Sequence, residues 1–217
     1  VGAFGLKSLP PWRFLRHGFV STQAKGTSET ESSVRQPWDV LRFARQSSRF
    51  VSLPKNPFLP SAPPKIVRPG DVVWSPSSSS PSALNMFQWA PLDDVVMGGV
   101  SFSIIDNGTG QWRGTVSTAN SGGFVGVRST PIGNPLDMSR CKGIEIVLRG
   151  GDGRRFKAVV RDSDEFNGVC WTSSFDAPCG KKGGTVRLPF KQQVPTIFAR
   201  TVPGKTFRAG NVMGFQL

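Results

Sequence analysis

A chain of 217 residues, 37% hydrophobic and 19% charged, can bury one sizeable core but leaves little for a second full domain. Its 25 Gly and 18 Pro argue for a loop-rich, strand-dominated chain, because glycine supplies turns at positive φ and proline interrupts helices and central strands. The net charge of +13 is uneven: residues 1–70 carry 11 Lys+Arg against 3 Asp+Glu and residues 71–217 carry 16 against 11, so the body is too nearly balanced for a nucleic-acid groove.

The first 28 residues hold Lys7, Arg13, Arg16, His17 and Lys25 and no Asp or Glu, a balance that suits an organelle-targeting segment or its remnant, expected to be part of the mature protein, and equally an ordinary basic tail. Two short helices are expected in this N-terminal region. One runs from Trp12 to His17 behind Pro10-Pro11, and the other from Trp38 to Gln46 with Pro37 at its start. The Pro- and Ser-rich run from Ser75 to Ser82 then reads as a linker. Residues 1–86 are accordingly expected to form a basic, irregular arm, and residues 1–70 to be removable without unfolding the rest.

From Phe87 onward, short alternating runs stand between glycine-rich turns, as in a β-sandwich or jelly roll. Val100, Phe102 and Ile104 alternate with Ser101 and Ser103, and Asp106-Asn107-Gly108 turns the chain into a hairpin with Trp112 to Val116. Ile144, Ile146 and Leu148 make the next run, and across Gly150-Gly151-Asp152-Gly153 it is expected to pair with Phe156, Ala158 and Val160. Val169 to Phe175, Val186 with Leu188, and Met213 to Leu217 complete the strands. Because the last run reaches Leu217, further strands are expected beyond it.

The segment Phe87 to Ser101, FQWAPLDDVVMGGVS, resembles the opening signature of the complex I intermediate-associated protein family. NSGGFVGVRS (Asn120 to Ser129), LDMSRCKGIEIVLRGGDGRRFKAVVRDS (Leu136 to Ser163) and VRLPFKQQVPTIFARTV (Val186 to Val202) follow at suitable spacing. The resemblance covers residues 87–217 and implies a galactose-binding-like jelly roll tied to the assembly of large organellar membrane complexes. The wording is closer to cyanobacterial and plastid members, which implies a chloroplast protein on the stromal side of the thylakoid, with the mitochondrial matrix side of the inner membrane as the alternative. Two departures stand out. Lys181-Lys182-Gly183-Gly184 replaces a usual aromatic residue, and the family's last strands are missing, so the jelly roll is expected to be incomplete.

The sharpest chemical candidate is the adjacent pair Asp93 and Asp94, since paired carboxylates can share a proton or hold a metal. On a strand, however, neighbours point to opposite faces, and the plainer role is acceptance of backbone N–H groups from the Met97-Gly98-Gly99 turn. Gly150-Gly151-Asp152-Gly153 lacks the Lys-Ser/Thr ending of a phosphate loop and reads as a hairpin turn. Asn120-Ser121-Gly122-Gly123 is a turn with an anion-binding nest as its second reading. Asp93, Asp94, Met97, Gly98, Gly99, Gly122, Gly123, Gly151, Asp152 and Gly153 are therefore structural candidates. Trp89, Trp112 and Trp171 could stack a sugar, although core packing suits two of them better.

The single histidine lies in the arm, which excludes a His-based acyl-transfer triad in the body, and neither a metal nor a cofactor is expected. Cys141, Cys170 and Cys179 form no Cys-x-x-Cys pair, which favours a reducing compartment. No apolar run reaches 18 residues, so no membrane-spanning helix is expected. The combined reading is a non-catalytic assembly factor or accessory subunit that binds subunits of a photosystem or of complex I, with no nucleic-acid partner. Trp12, Phe14, Arg16, Trp38, Arg42 and Phe43 serve as its protein-binding anchors. The rival is a carbohydrate-binding module.

Overall fold

The structure is a computed structural model describing residues 4–8, 37–51, 62–76, 80–151, 153–180 and 182–217. Its elements in chain order are β1 (Phe4–Ser8), α1 (Val40–Ser48), β2 (Lys65–Ile66), β3 (Val72–Trp74), β4 (Trp89–Pro91), β5 (Phe102–Asp106), β6 (Gln111–Thr115), β7 (Val127–Ser129), β8 (Leu136–Asp137), β9 (Gly143–Leu148), β10 (Arg155–Arg161), β11 (Cys170–Asp176), β12 (Gly184–Pro189), β13 (Val194–Ile197), β14 (Arg200–Thr201) and β15 (Gly214–Gln216). A four-stranded sheet has the order β12-β9-β1-β3, and a seven-stranded sheet has the order β14-β13-β11-β10-β15-β7-β4. The β5–β6 hairpin and the β2–β8 pair stand apart.

One continuous core joins the two large sheets. Leu6, Val73, Ile144, Ile146 and Leu188 come from the first, and Trp89, Val127, Val160, Trp171 and Phe215 from the second. The fold is thus an all-β sandwich with a single α-helix among the described residues. Each fully buried Val, Leu or Ile contributes about 1.5–3 kcal/mol, so the alternating runs are what hold the layers together. No helix among the described residues is long and apolar enough to cross a membrane.

Three expectations are corrected here. The first concerns the arm. β1 lies between β9 and β3 and pairs antiparallel with both, with Leu6 opposite Ile146 on one side and Trp74 on the other. Leu6 and Val67 are buried in the core, so the described parts of residues 1–70 contribute to the sandwich. For the same reason the Ser75–Ser82 run does not separate an arm from the body: Val73 and Trp74 before it and Phe87 and Trp89 after it share one core. A three-residue strand such as Val72–Trp74 is too short to show a period, and only its partner makes it legible.

The second correction concerns pairing. β9 and β10 belong to different sheets, so Gly150 to Gly153 is a crossover from one layer to the other. β9 pairs with β12 in register Ile146 to Val186, and β10 pairs with β11 in register Val160 to Trp171. The crossover packs on the return crossing, with the Gly180 N–H donating to the Gly151 carbonyl (3.0 Å). A β carbon on Gly151 would lie 2.2 Å from the Pro178 carbonyl oxygen, which is why the two crossings can touch. Asp152 lies outside the described residues, as does the helix expected over Trp12–His17.

The third concerns α1, which begins later than expected. Asp39 caps it by accepting the Arg42 backbone N–H (2.8 Å), satisfying an amide that has no partner in the first turn.

Candidate functional site

The signature residues meet at one place. Asp93 is extended, and Asp94–Met97 forms a single 3-10 turn closed by Gly98 at φ 89. The turn uses the main chain: Gly98 N–H donates to the Val95 carbonyl (3.1 Å) and Gly99 N–H to the Asp94 carbonyl (2.9 Å). The carboxylates are not what the Met97-Gly98-Gly99 amides bind, contrary to the sequence reading. They reach further.

Asp94 is 0% exposed. Its carboxylate accepts the Ser101 N–H (2.9 Å), the Ser101 hydroxyl, the Gly123 N–H (2.7 Å) and, at 3.4 Å, the Phe124 N–H. The anion in the Gly122-Gly123 nest is therefore the protein's own aspartate. Gly99 and Gly122 flank it so closely that a β carbon would fall 2.3 Å from Asp94 Cγ at the first and 2.4 Å from Asp94 Oδ2 at the second. Two glycines from motifs more than twenty residues apart thus share one physical cause. Asn120 and Ser121 adopt positive φ (56° and 60°) to bring the second motif in, and Asn120 Nδ2 donates to the Gly98 carbonyl (3.0 Å).

Asp93, also 0% exposed, is held from two directions. The Ser103 N–H (2.9 Å) and hydroxyl (2.6 Å) donate to it from β5. From α1 come Gln46 Nε2 (3.0 Å) and the Arg42 guanidinium (3.0 Å), while the Asp93 N–H donates to Gln46 Oε1 (3.2 Å). Arg42 also donates to the Ser101 carbonyl, and Trp38 Nε1 donates to the Val95 carbonyl (3.0 Å). A carboxylate offers about four acceptor positions, and each of these two receives four donors. In each, three donors converge on Oδ2 and one on Oδ1, and both side chains are shut off from solvent.

This arrangement reverses the hairpin. Ser101 and Ser103 are 0% and 1% exposed, whereas Phe102 and Ile104 are 50% and 48% exposed. The expected apolar face of the run is the outer one, because two fully buried carboxylates draw the serine hydroxyls and amides inward. The hairpin itself forms as expected, with Ile105 opposite Trp112. Asn107 in its turn binds both the N–H (2.7 Å) and the carbonyl (2.9 Å) of Trp89 on β4.

Of the expected binding anchors, Trp12, Phe14 and Arg16 lie outside the described residues. Trp38 packs on Phe43, with ring centroids 5.1 Å apart, and Arg42 lies over the Phe102 ring at 5.2 Å. Trp38 and Arg42 therefore fasten α1 to the signature loop. Met97 projects into solvent, and Gly151 and Gly153 belong to the crossover. Gln46, Ser101 and Ser103 were missed as site residues, although the serine alternation was visible in the sequence. Trp89, Trp112 and Trp171 are all buried, so they offer no sugar-stacking platform. A separate groove of about 330 Å³ lies along β11, β12 and β13, lined by residues including Thr172, Ser173, Arg187 and Gln192.

The family model for complex I intermediate-associated protein 30 matches residues 77–217, and all the glycines and both aspartates of the clasp fall inside that span. The chain belongs to this family. No curated protein matches the chain. Within the family domain the clasp is built from β5 and the Asn120–Phe124 segment, while Arg42 and Gln46, from outside the matched span, close it over Asp93.

Proposed function

We propose that this chain is a non-catalytic assembly factor or accessory subunit whose rigid sandwich, read as galactose-binding-like, docks onto subunits of a large organellar membrane complex. The observation that carries this reading is the outward apolar face of β5. Phe102 and Ile104 stand exposed beside Arg42, and Trp38, Leu41 and Met97 border the same loop with large exposed apolar surfaces. Interfaces place aromatic, Met and Arg side chains at their centres, and this face presents all three. The burial of both aspartates, each with four hydrogen-bond donors from the protein, supports a structural use of the signature rather than a catalytic one. In this reading Trp12, Phe14 and Arg16 add aromatic and cationic anchors to the same partner.

The family's name points to complex I, on the matrix side of the mitochondrial inner membrane. The plastid-like wording points to a photosystem on the stromal side of the thylakoid. Native-gel migration of the protein with one complex or the other decides between them. The docking face is tested by Phe102→Ser with Ile104→Ser, which should leave the protein folded, with a small loss of stability from the Arg42–Phe102 contact (about 0.5–1 kcal/mol), and abolish co-migration with the complex. Retained co-migration would refute the assignment.

A further inference from the structure

Away from the clasp, two buried cations follow the core residues Val127 and Val160 on their strands and so lie on the outer face of the seven-stranded sheet. Arg128 on β7 and Arg161 at the end of β10 are 7% and 3% exposed. Neither lies within ion-pair distance of a carboxylate among the described residues. Arg128 is stacked between the rings of Phe50 (5.4 Å) and Phe166 (5.0 Å), and it donates one long hydrogen bond, 3.4 Å, to the Phe166 carbonyl. Arg161 donates to Cys170 Sγ (3.0 Å), to the Phe166 carbonyl (3.2 Å) and to the Glu165 carbonyl. A guanidinium has five N–H donors, so most of those on Arg128 remain unused by the described residues.

Both arginines line one small cavity with Ser129, Ser163, Asp164 and Gly214. The serine hydroxyls accept backbone N–H groups, Ser129 from Phe215 (3.0 Å) and Ser163 from Glu165 (3.2 Å), which leaves each hydroxyl hydrogen to donate elsewhere. Burial, and then the charge of Arg161, lower the Arg128 pKa to about 10. Two neighbouring buried cations are costly unless compensated: the Asp164 carboxylate lines the same cavity without coming within ion-pair distance of either guanidinium, and the carbonyls that bind Arg161 offer partial charges alone.

We propose that this cavity binds a phosphate group, held by the guanidiniums of Arg128 and Arg161 with the Ser129 and Ser163 hydroxyls at its margin. A tetrahedral phosphate offers enough oxygens for two arginine forks, whereas a carboxylate satisfies one. The planar ring stacking of Arg128 fixes its fork while leaving the N–H edge toward the cavity. The site is independent of the β5 docking face, and the failure of either leaves the other standing.

The test uses the full chain and thermal melts in sodium phosphate against sodium chloride at matched ionic strength. Phosphate should raise the melting temperature saturably above chloride, and acetate should not. Arg128→Lys keeps the charge but loses the fork, and should weaken phosphate binding at least about tenfold. Should that variant not fold, Ser163→Ala and ³¹P line broadening on the wild-type protein provide the same decision, with weaker binding in the first and saturable broadening in the second expected. Glycerol phosphate binding more tightly than inorganic phosphate would support the site and identify a substituted phosphate as its ligand. Equal effects of phosphate, acetate and chloride, or unaltered phosphate binding in Arg128→Lys, would overturn the proposal.

Discussion

Replacing Asp94 by Asn changes almost no volume and removes one charge from the centre of the clasp. Its effect follows from counting donors. Oδ2 accepts three of them (Ser101 Oγ, Gly123 N–H and Phe124 N–H) and Oδ1 accepts the Ser101 N–H. An asparagine keeps most by placing its carbonyl oxygen at Oδ2, which turns its NH2 against the Ser101 N–H. One charge-assisted bond is then lost, worth about 1.5–3 kcal/mol, and a buried donor faces another donor at a further penalty of about 1–3 kcal/mol. The sum, about 2.5–6 kcal/mol, corresponds to a fall of at least about 5 °C in the melting temperature of a domain of this size. Differential scanning calorimetry measures it, and a double-mutant cycle with Ser101→Ala isolates the Asp94–Ser101 coupling, because two residues in contact are not additive. A fall of less than about 3 °C, or no coupling in the cycle, would show that Asp94 is not the buried hub of the two glycine motifs.

Two further outcomes are expected. Leu6→Ala should destabilise the protein by about 2–5 kcal/mol in urea unfolding, as for any large-to-small change in a packed core, and an unchanged midpoint would remove β1 from the sheet. The Asp106 carboxyl is held below its ordinary pKa by the Thr109 hydroxyl and the Gly108 N–H, so its contribution is present above the unfolded value of about 3.9 and lost as pH falls through the folded value. The melting temperatures of wild type and Asp106→Asn should therefore differ at neutral pH and converge below about pH 4, and a constant gap would contradict the assignment.

Much of the fold was written in local pattern. The β character, the hairpin at Asp106-Asn107-Gly108, the runs that became β9 to β12, and the family signature at Phe87 to Ser101 all follow from period-two alternation, turn chemistry and motif spacing. Alternation states which side chains share a face. It does not state which face is inside or which strand lies alongside. In β5 the apolar residues turned outward, because the buried charges of Asp93 and Asp94 draw half of their donors from the amides and hydroxyls of Ser101 and Ser103, and no periodicity encodes a requirement set by residues on another segment. β9 and β10 separated into different sheets for a similar reason, since the glycine-rich turn between them serves a layer crossing as readily as a hairpin. β3 is too short to show a period, and the places of β1 and β3 in the sheet are set by partners far along the chain, with Ile146 and Trp74 opposite Leu6. Sequence determined the elements, and the pairing of distant backbone and the hydrogen-bonding demand of two buried carboxylates determined how they face one another.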